Sequence, residues 1–503
     1  MNYERRYPKL ALLLLFVVAV AGCVTAAVCR HPNELRFEPV SFSPPKADRT
    51  VLDNGIVVYF LEDHDLPVFD AVAYFRAGSI YEPSEKTGLA MLTGTVMRTG
   101  GTTSMTGDEI DEELEFMAGS VEVDVGRESA VVTLSALAKD LERGLEIFAS
   151  VVRSPVFCEE KIDLAKKRAI EEIRRRYDSP GSTVAAEFPK LVYGKNSVWS
   201  RLPAVSTVNG VSRADLVAFH SAYFLPNNMI LGVSGDYDKR ALMAKLQGLF
   251  GDWQAEEISF APIEPVEPDT APSVNYIQEE INQSNILMGH LGIRRHNPDE
   301  FAVEIMNYIL GWGGFTSRLW KEVRSDRGLA YDVYGGITSG MDYGLFEAGC
   351  QTDARTTCEA IRLIRDVVES MIEAPPSDDE LALAKEGKLN RFVFNFTSST
   401  EIVRKRVVLE FLGYPLDYLD TYEERIAAVK GDDVHRAAKR YLHPDKLVVL
   451  VVGDADQFDK PLSTFGPVNT IKLPGDSLST SAIGRDAAPF FGYVSPFHGQ
   501  ARN

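Results

Sequence analysis

One segment of this chain occurs twice, and that repeat constrains the fold more than any other feature. Val211–Asp236 reads VSRADLVAFHSAYFLPNNMILGVSGD, and Val429–Asp454 reads VKGDDVHRAAKRYLHPDKLVVLVVGD. The two align without a gap at an offset of 218 (429 − 211), pairing Asp215 with Asp433, Tyr223 with Tyr441, Pro226 with Pro444 and Gly235-Asp236 with Gly453-Asp454. Each copy reads as an amphipathic helix, a proline-marked turn, an apolar strand and a Gly-Asp stop. A repeat of this length predicts two similar halves, 49–254 and 274–457, joined by the acidic, proline-containing stretch 255–273.

Within the first half the pattern predicts a strand over Arg49–Leu61, a turn around Asp63-His64-Asp65 and a second strand near Phe69–Arg76. Thr106-Gly-Asp-Glu109 is a capping box ahead of the helical positions Ile110, Leu114 and Met117, with Gly119 as the stop. Val121, Val123 and Val125 alternate with polar residues as a half-buried strand does, and Ala130–Leu137 reads as its neighbour. Helices fit Ala138–Val152 and Cys158–Tyr177. The sum is an α+β unit of antiparallel strands covered by helices. Residues 458–503, rich in Gly, Ser and Pro toward the end, read as a loose tail.

The N-terminus points to a membrane. Arg5, Arg6 and Lys9 precede the apolar run Leu10–Ala21, the layout of a secretory signal. Val20-Ala21-Gly22-Cys23 closes it and resembles a lipoprotein cleavage box, so that 1–23 is a lipoprotein-type signal with Cys23 as the lipid-bearing residue and 24–48 a tether. The alternative is an uncleaved anchor helix over Leu10–Val28, just long enough where about 17–25 residues are needed. Both place the body outside the cytoplasm, membrane-anchored on the periplasmic side of a bacterial membrane. If Cys23 carries lipid, four of the five cysteines remain for disulfides, and their spacing leaves the pairing open. A net charge of −19 without a Lys/Arg-rich run argues against a nucleic-acid partner.

Gly88-Leu-Ala90, Arg98-Thr-Gly-Gly-Thr102, the two repeat segments, Gly313-Gly-Phe-Thr-Ser-Arg-Leu319 and Arg324-Ser-Asp-Arg-Gly-Leu-Ala-Tyr331 together resemble the pitrilysin–insulinase–mitochondrial processing peptidase family of zinc peptidases, in its short bacterial type. The resemblance runs from about Val51 to Gly453. It implies two homologous halves, each of two αβ lobes with mainly antiparallel sheets covered by helices, arranged as a clamshell around a peptide chamber.

In that family Gly-Leu-Ala is followed by His-x-x-Glu-His, whose spacing sets two imidazoles and a carboxylate on one helix face to hold zinc and activate its water. Here the three positions are Met91, Gly94 and Thr95, none of which supplies an imidazole or a base. The family's third ligand is a Glu on a later helix. Ile162, Ala165 and Ala169 step by 3 and 4, and Glu172 continues that stripe (172 − 169 = 3), which predicts that it faces inward as the orphaned counterpart. The alternative is a surface carboxylate paired with Arg168 or Arg175. The eight His form no pair at ligand spacing, the nearest being His290 and His296.

The second half retains what the first has lost. Family peptidases carry an Arg and a Tyr seven residues apart, facing the zinc, and Arg324 and Tyr331 keep that spacing (331 − 324 = 7). A guanidinium and a phenol donate hydrogen bonds to a substrate carbonyl or its oxyanion without losing a proton. The plainer reading has Arg324 on the solvated edge of a helix Ser317–Arg324 and Tyr331 packed in a strand beside Leu329 and Val333. The resemblance therefore implies a subunit with no cofactor of its own, acting on peptides beside a homologous His-x-x-Glu-His partner that holds the zinc. The competing expectations are a non-catalytic scaffold of the same fold and, more weakly, a self-sufficient peptidase with unrecognised ligands.

Overall fold

In the computed structural model, residues 42–267 and 271–474 are described. Cys23, the Leu10–Val28 run and the residues from Gly475 onward lie outside them. Each half forms one sheet. The first runs β1-β2-β6-β3-β5-β4, with β1 Asp48–Val51, β2 Val57–Glu62, β3 Val68–Phe75, β4 Ser120–Val125, β5 Ala130–Leu137 and β6 Met229–Gly235. The second runs β14-β7-β13-β8-β12-β10, with β7 Ser273–Gln278, β8 Gln283–Leu291, β10 Ala330–Ile337, β12 Leu345–Asp353, β13 Val448–Gly453 and β14 Val468–Thr470. A short parallel pair, β9 Ile293–Arg294 and β11 Ser339–Gly340, flanks the second sheet.

Five strands correspond between the two orders, and the sixth differs: β1 runs antiparallel to β2, whereas β14 closes its half parallel to β7. In each, the strand that closes the repeat (β6, β13) lies parallel to the half's first long strand (β2, β7) and antiparallel to its hairpin partner (β3, β8). The α+β class and the two related halves therefore stand. The lobe count is corrected: each half makes one αβ lobe, so the chain holds two in all, where the resemblance implied two per half. The expected single strand Arg49–Leu61 is broken by a turn at Asp53-Asn54-Gly55, where Gly55 adopts φ +91°. Residues 458–474 are not loose. They contribute β14, whose register on β7 pairs Val468 with Val274.

Each sheet is covered on one face by a helix from the other half. The helix Ser399–Phe411 lies on the first sheet, with Val403 and Val407 packed among Tyr59, Val72 and Tyr74. The helix Pro180–Val192 lies on the second sheet, against β8 and β13. A glycine admits the first visitor, since a Cβ at Gly232 would stand 2.4 Å from Val403; at Gly289 a Cβ would meet the Phe346 carbonyl of β12 at 2.0 Å before the Phe188 ring at 3.1 Å. Burial of these apolar faces is what binds the halves together.

Two of the described linker residues pack against the body of the chain. Phe260 stacks on Tyr223 and meets Tyr81 at a tilt, and Val266 is buried with its N–H on Asp342 at 2.6 Å. Among the described residues Cys158, Cys350 and Cys358 are free thiols, and no helix is long and apolar enough to cross a membrane.

Candidate functional site

The helix Leu89–Thr99 carries the altered motif, and its start is closely engineered by its neighbours. Gly88 precedes it at φ +107°, a left-handed conformation that favours glycine. Glu82, only 4% exposed, accepts from the Gly88 and Ala90 N–H groups at 3.0 and 2.9 Å, satisfying two donors that a helix start leaves open. Burial pushes the Glu82 carboxyl above its ordinary value, while those N–H groups and the Arg201 guanidinium pull it back. Further along, Arg98 donates to the Val121 carbonyl at 3.1 Å and pairs with Asp111, so both helix ends are fixed.

The three motif positions are filled and satisfied. A Cβ on Gly94 would lie 2.5 Å from a Val125 methyl and 3.4 Å from one of Val123, because the helix rests directly on β4. The Thr95 hydroxyl donates to the Met91 carbonyl at 3.1 Å inside the same helix. Met91 is half-buried against the core. Glu172 is exposed, contrary to the inward position expected of it. The buried stripe of its helix, Glu159–Arg175, runs through Ile162, Ala165 and Ala169 and then steps by four to the partly buried Ile173. At about 100° per residue, Glu172 stands on the rim of that stripe. Among the described residues no ion pair joins Glu172 to Arg168 or Arg175. In this stretch it is Glu171 that pairs, with Arg174 at 2.5 Å.

In the second half Arg324 and Tyr331 are brought together. The Arg324 guanidinium lies 4.6 Å from the centre of the Tyr331 ring, 4.5 Å from Trp320 and 4.8 Å from Phe315, at distances where a cation is held by ring faces. Phe315 meets Trp320 edge-to-face at 4.6 Å. Arg318 and Arg327 nearby are paired with Glu380 and Glu359, whereas among the described residues Arg324 has no carboxylate within 4.0 Å. Its N–H groups are thus uncommitted to an acid. Tyr331 is 84% exposed, which sets aside the packed-strand reading.

Both residues stand where the backbone leaves its regular course. Trp320–Asp326, which contains Arg324, is π-helical, one residue wider per turn than the expected α-helix. It ends in a turn at Gly328 (φ +63°), where the Gly328 N–H reaches the Arg324 carbonyl at 3.1 Å. Tyr331 sits in a β-bulge. Ala330 opposes Thr352 and Val333 opposes Cys350, so three steps on β10 face two on β12. The extra residue leaves Tyr331 and Asp332 both exposed on consecutive positions, which a regular strand forbids. Such insertions re-aim side chains.

Residues 62–200 match the family described as Insulinase (Peptidase family M16), and residues 210–388 match the one described as Peptidase M16 inactive domain. A peptidase M16 inactive domain from Pseudomonas fluorescens superposes with a TM-score of 0.75 at 27% identity, covering 83% of this chain and all of that one. Two relatives are uncharacterised zinc proteases. That of Streptomyces coelicolor is 25% identical over 68% of this chain and 76% of its own, and that of Bacillus subtilis 23% identical over 70% and 85%. The chain belongs to the M16 peptidase family.

Zinc of the M16 kind does not fit the residues present here. Met91, Gly94 and Thr95 offer neither an imidazole nor a carboxylate, and the space a side chain at 94 would need is taken by Val125. Glu172 alone leaves one exposed oxygen donor. Sequence reasoning missed Glu82, whose signal was only its position six residues before Gly88. It also missed Phe315 and Trp320, whose rings surround the Arg324 guanidinium.

Proposed function

We propose that this chain is the non-zinc subunit of a heteromeric M16 peptidase, supplying half of a peptide chamber and the Arg324–Tyr331 pair to a His-x-x-Glu-His partner that carries the metal. The observation that supports it most is the pair itself: a half-buried guanidinium with no acidic partner against an exposed phenol, on a π-helical turn and a β-bulge. Arg324 and Tyr331 would donate hydrogen bonds to the carbonyl of a bound peptide and to the oxyanion that forms on it. A scaffold has no use for two such donors held on irregular backbone.

The chain alone is expected to hold no stoichiometric zinc and to cleave no peptide, and to gain chelator-sensitive peptidase activity when co-purified with a zinc-bearing M16 chain. Metal analysis giving about one tight zinc per isolated chain, with activity that a chelator removes, would sink this reading. Assembly without any activity would favour the scaffold. We further propose that Cys23 anchors the mature chain to the periplasmic side of a membrane. Cys23→Ala should then accumulate uncleaved precursor, and normal processing of that variant would return the anchor helix.

A further inference from the structure

The second half contains a cavity of about 370 Å³, formed where β8 ends, where the chain turns into β12 and where the helix Gly431–Tyr441 leads to β13. Small molecules are bound in cavities of about 300–1,000 Å³. Arg294, Arg440 and Lys446 bring three cations to its wall, and among the described residues no Asp or Glu lines it. In a chain of net charge −19 that wall needs a cause.

The fold does not supply one. At the repeat's offset of 218, Arg440, His443 and Lys446 answer to Ala222, Leu225 and Asn228. The first half thus builds the same helix, proline turn and strand without a charge at any of the three positions. The cations are an addition to the repeat.

Nor are the guanidiniums used up by their neighbours. Arg294 pairs with Asp342 at 2.7 Å and lies 4.6 Å from the centre of the Tyr343 ring. Arg440 donates to Asp299 at 3.2 Å and lies 5.3 Å from the centre of the Tyr441 ring. Each acid is shared: Asp342 also accepts the Val266 N–H at 2.6 Å, and Asp299 the Tyr441 hydroxyl at 2.8 Å. A guanidinium has five N–H donors, so one carboxylate contact fixes its direction and leaves donors for a ligand. His290, also in the wall, adds no charge. Its Nδ1 donates to the Leu291 carbonyl at 2.7 Å, its Nε2 accepts the His443 N–H at 3.0 Å, and burial pushes its pKa down to about 4.

We propose that this cavity binds a phosphate monoester, with Arg294, Arg440 and Lys446 taking the phosphate oxygens and the Tyr343 and Tyr441 rings flanking the organic part. Such a group carries about −1.5 to −2 at neutral pH and three strong acceptors. The planar fork of an arginine takes two of those oxygens at once, and a lysine adds a point charge. A carboxylate, with a single charge, matches three cations less well. A soluble polyol phosphate and the headgroup of phosphatidic acid both present this chemistry.

The test is titration calorimetry of the full chain with glycerol 3-phosphate and with dihexanoyl phosphatidic acid, a soluble phospholipid. At least one should bind, and glycerol should not. Arg294→Ala and Arg440→Ala should each weaken that binding about tenfold or more. Arg355→Ala, which removes an exposed guanidinium elsewhere on the second half, should leave it unchanged. Binding of glycerol 3-phosphate alone assigns the site to a free ester, binding of the phospholipid alone to a headgroup, and binding of both to the phosphate from either source. Failure of both to bind would overturn the proposal, and so would binding that survives the two arginine substitutions. Neither result depends on peptidase activity or on a zinc-bearing partner.

Discussion

The helix Leu89–Thr99 and the segment Trp320–Tyr331, the two regions that the family resemblance singles out, are built in opposite ways. The first is closed: its glycine rests on Val125, its threonine hydroxyl turns back to its own helix, and a buried glutamate fixes its start. The second is more open, with a guanidinium that has no acidic partner among the exposed rings of Phe315 and Tyr331 and the half-buried ring of Trp320, and with two backbone irregularities. Packing and regular backbone are signs of a region that only has to be stable. Irregular backbone around an exposed phenol and a guanidinium without an acidic partner needs another reason, because each departure costs free energy that a scaffold would have no cause to retain.

The contrast predicts that restoring the motif fails. The triple substitution Met91→His, Gly94→Glu and Thr95→His should destabilise the chain by about 3–5 kcal/mol, since a carboxylate at 94 must both displace Val125 and lose its water. Urea unfolding measures this. A variant as stable as the parent that binds zinc tightly would show that the first half is only missing ligands. A smaller effect isolates the contact. Gly94→Ala, which ordinarily stabilises a helix by about 1 kcal/mol, should here cost about 1–2 kcal/mol. In a Val125→Ala background the cost should disappear, and a persisting cost would place the clash elsewhere. Smallest of all, Tyr331→Phe should change unfolding free energy by no more than about 0.5 kcal/mol, because its ring is exposed. A larger loss would make Tyr331 a packing residue and remove the contrast.

The halves were legible because a repeat at fixed offset survives in helix–turn–strand chemistry, and Pro226 and Pro444 mark the same turn in both sheets. The capping box at Thr106 and Glu109 was legible for a similar reason, since both of its hydrogen bonds are local. Non-local partners were not. Phe188 and Val403 cross to the other half's sheet, and nothing in their own segments says which sheet will receive them. Of the site, the seven-residue spacing of Arg324 and Tyr331 was readable, but the bulge and the π-helical turn are not, since each adds one residue without changing composition. Glu172 misled because two helical steps, of three and of four, are both consistent with one face, and the core took the apolar Ile173.

The claim that the open region contributes to catalysis is tested most directly by kcat of the complex with a zinc-bearing partner, measured with and without Tyr331→Phe. A phenol that donates mainly to a developing oxyanion acts in the transition state and little on ground-state binding, so its loss lowers kcat more than it raises KM. The account predicts a fall of roughly 10²–10³ in kcat with the assembled complex intact. A kcat within about twofold of the parent would contradict it, because that donor's contribution would be absent.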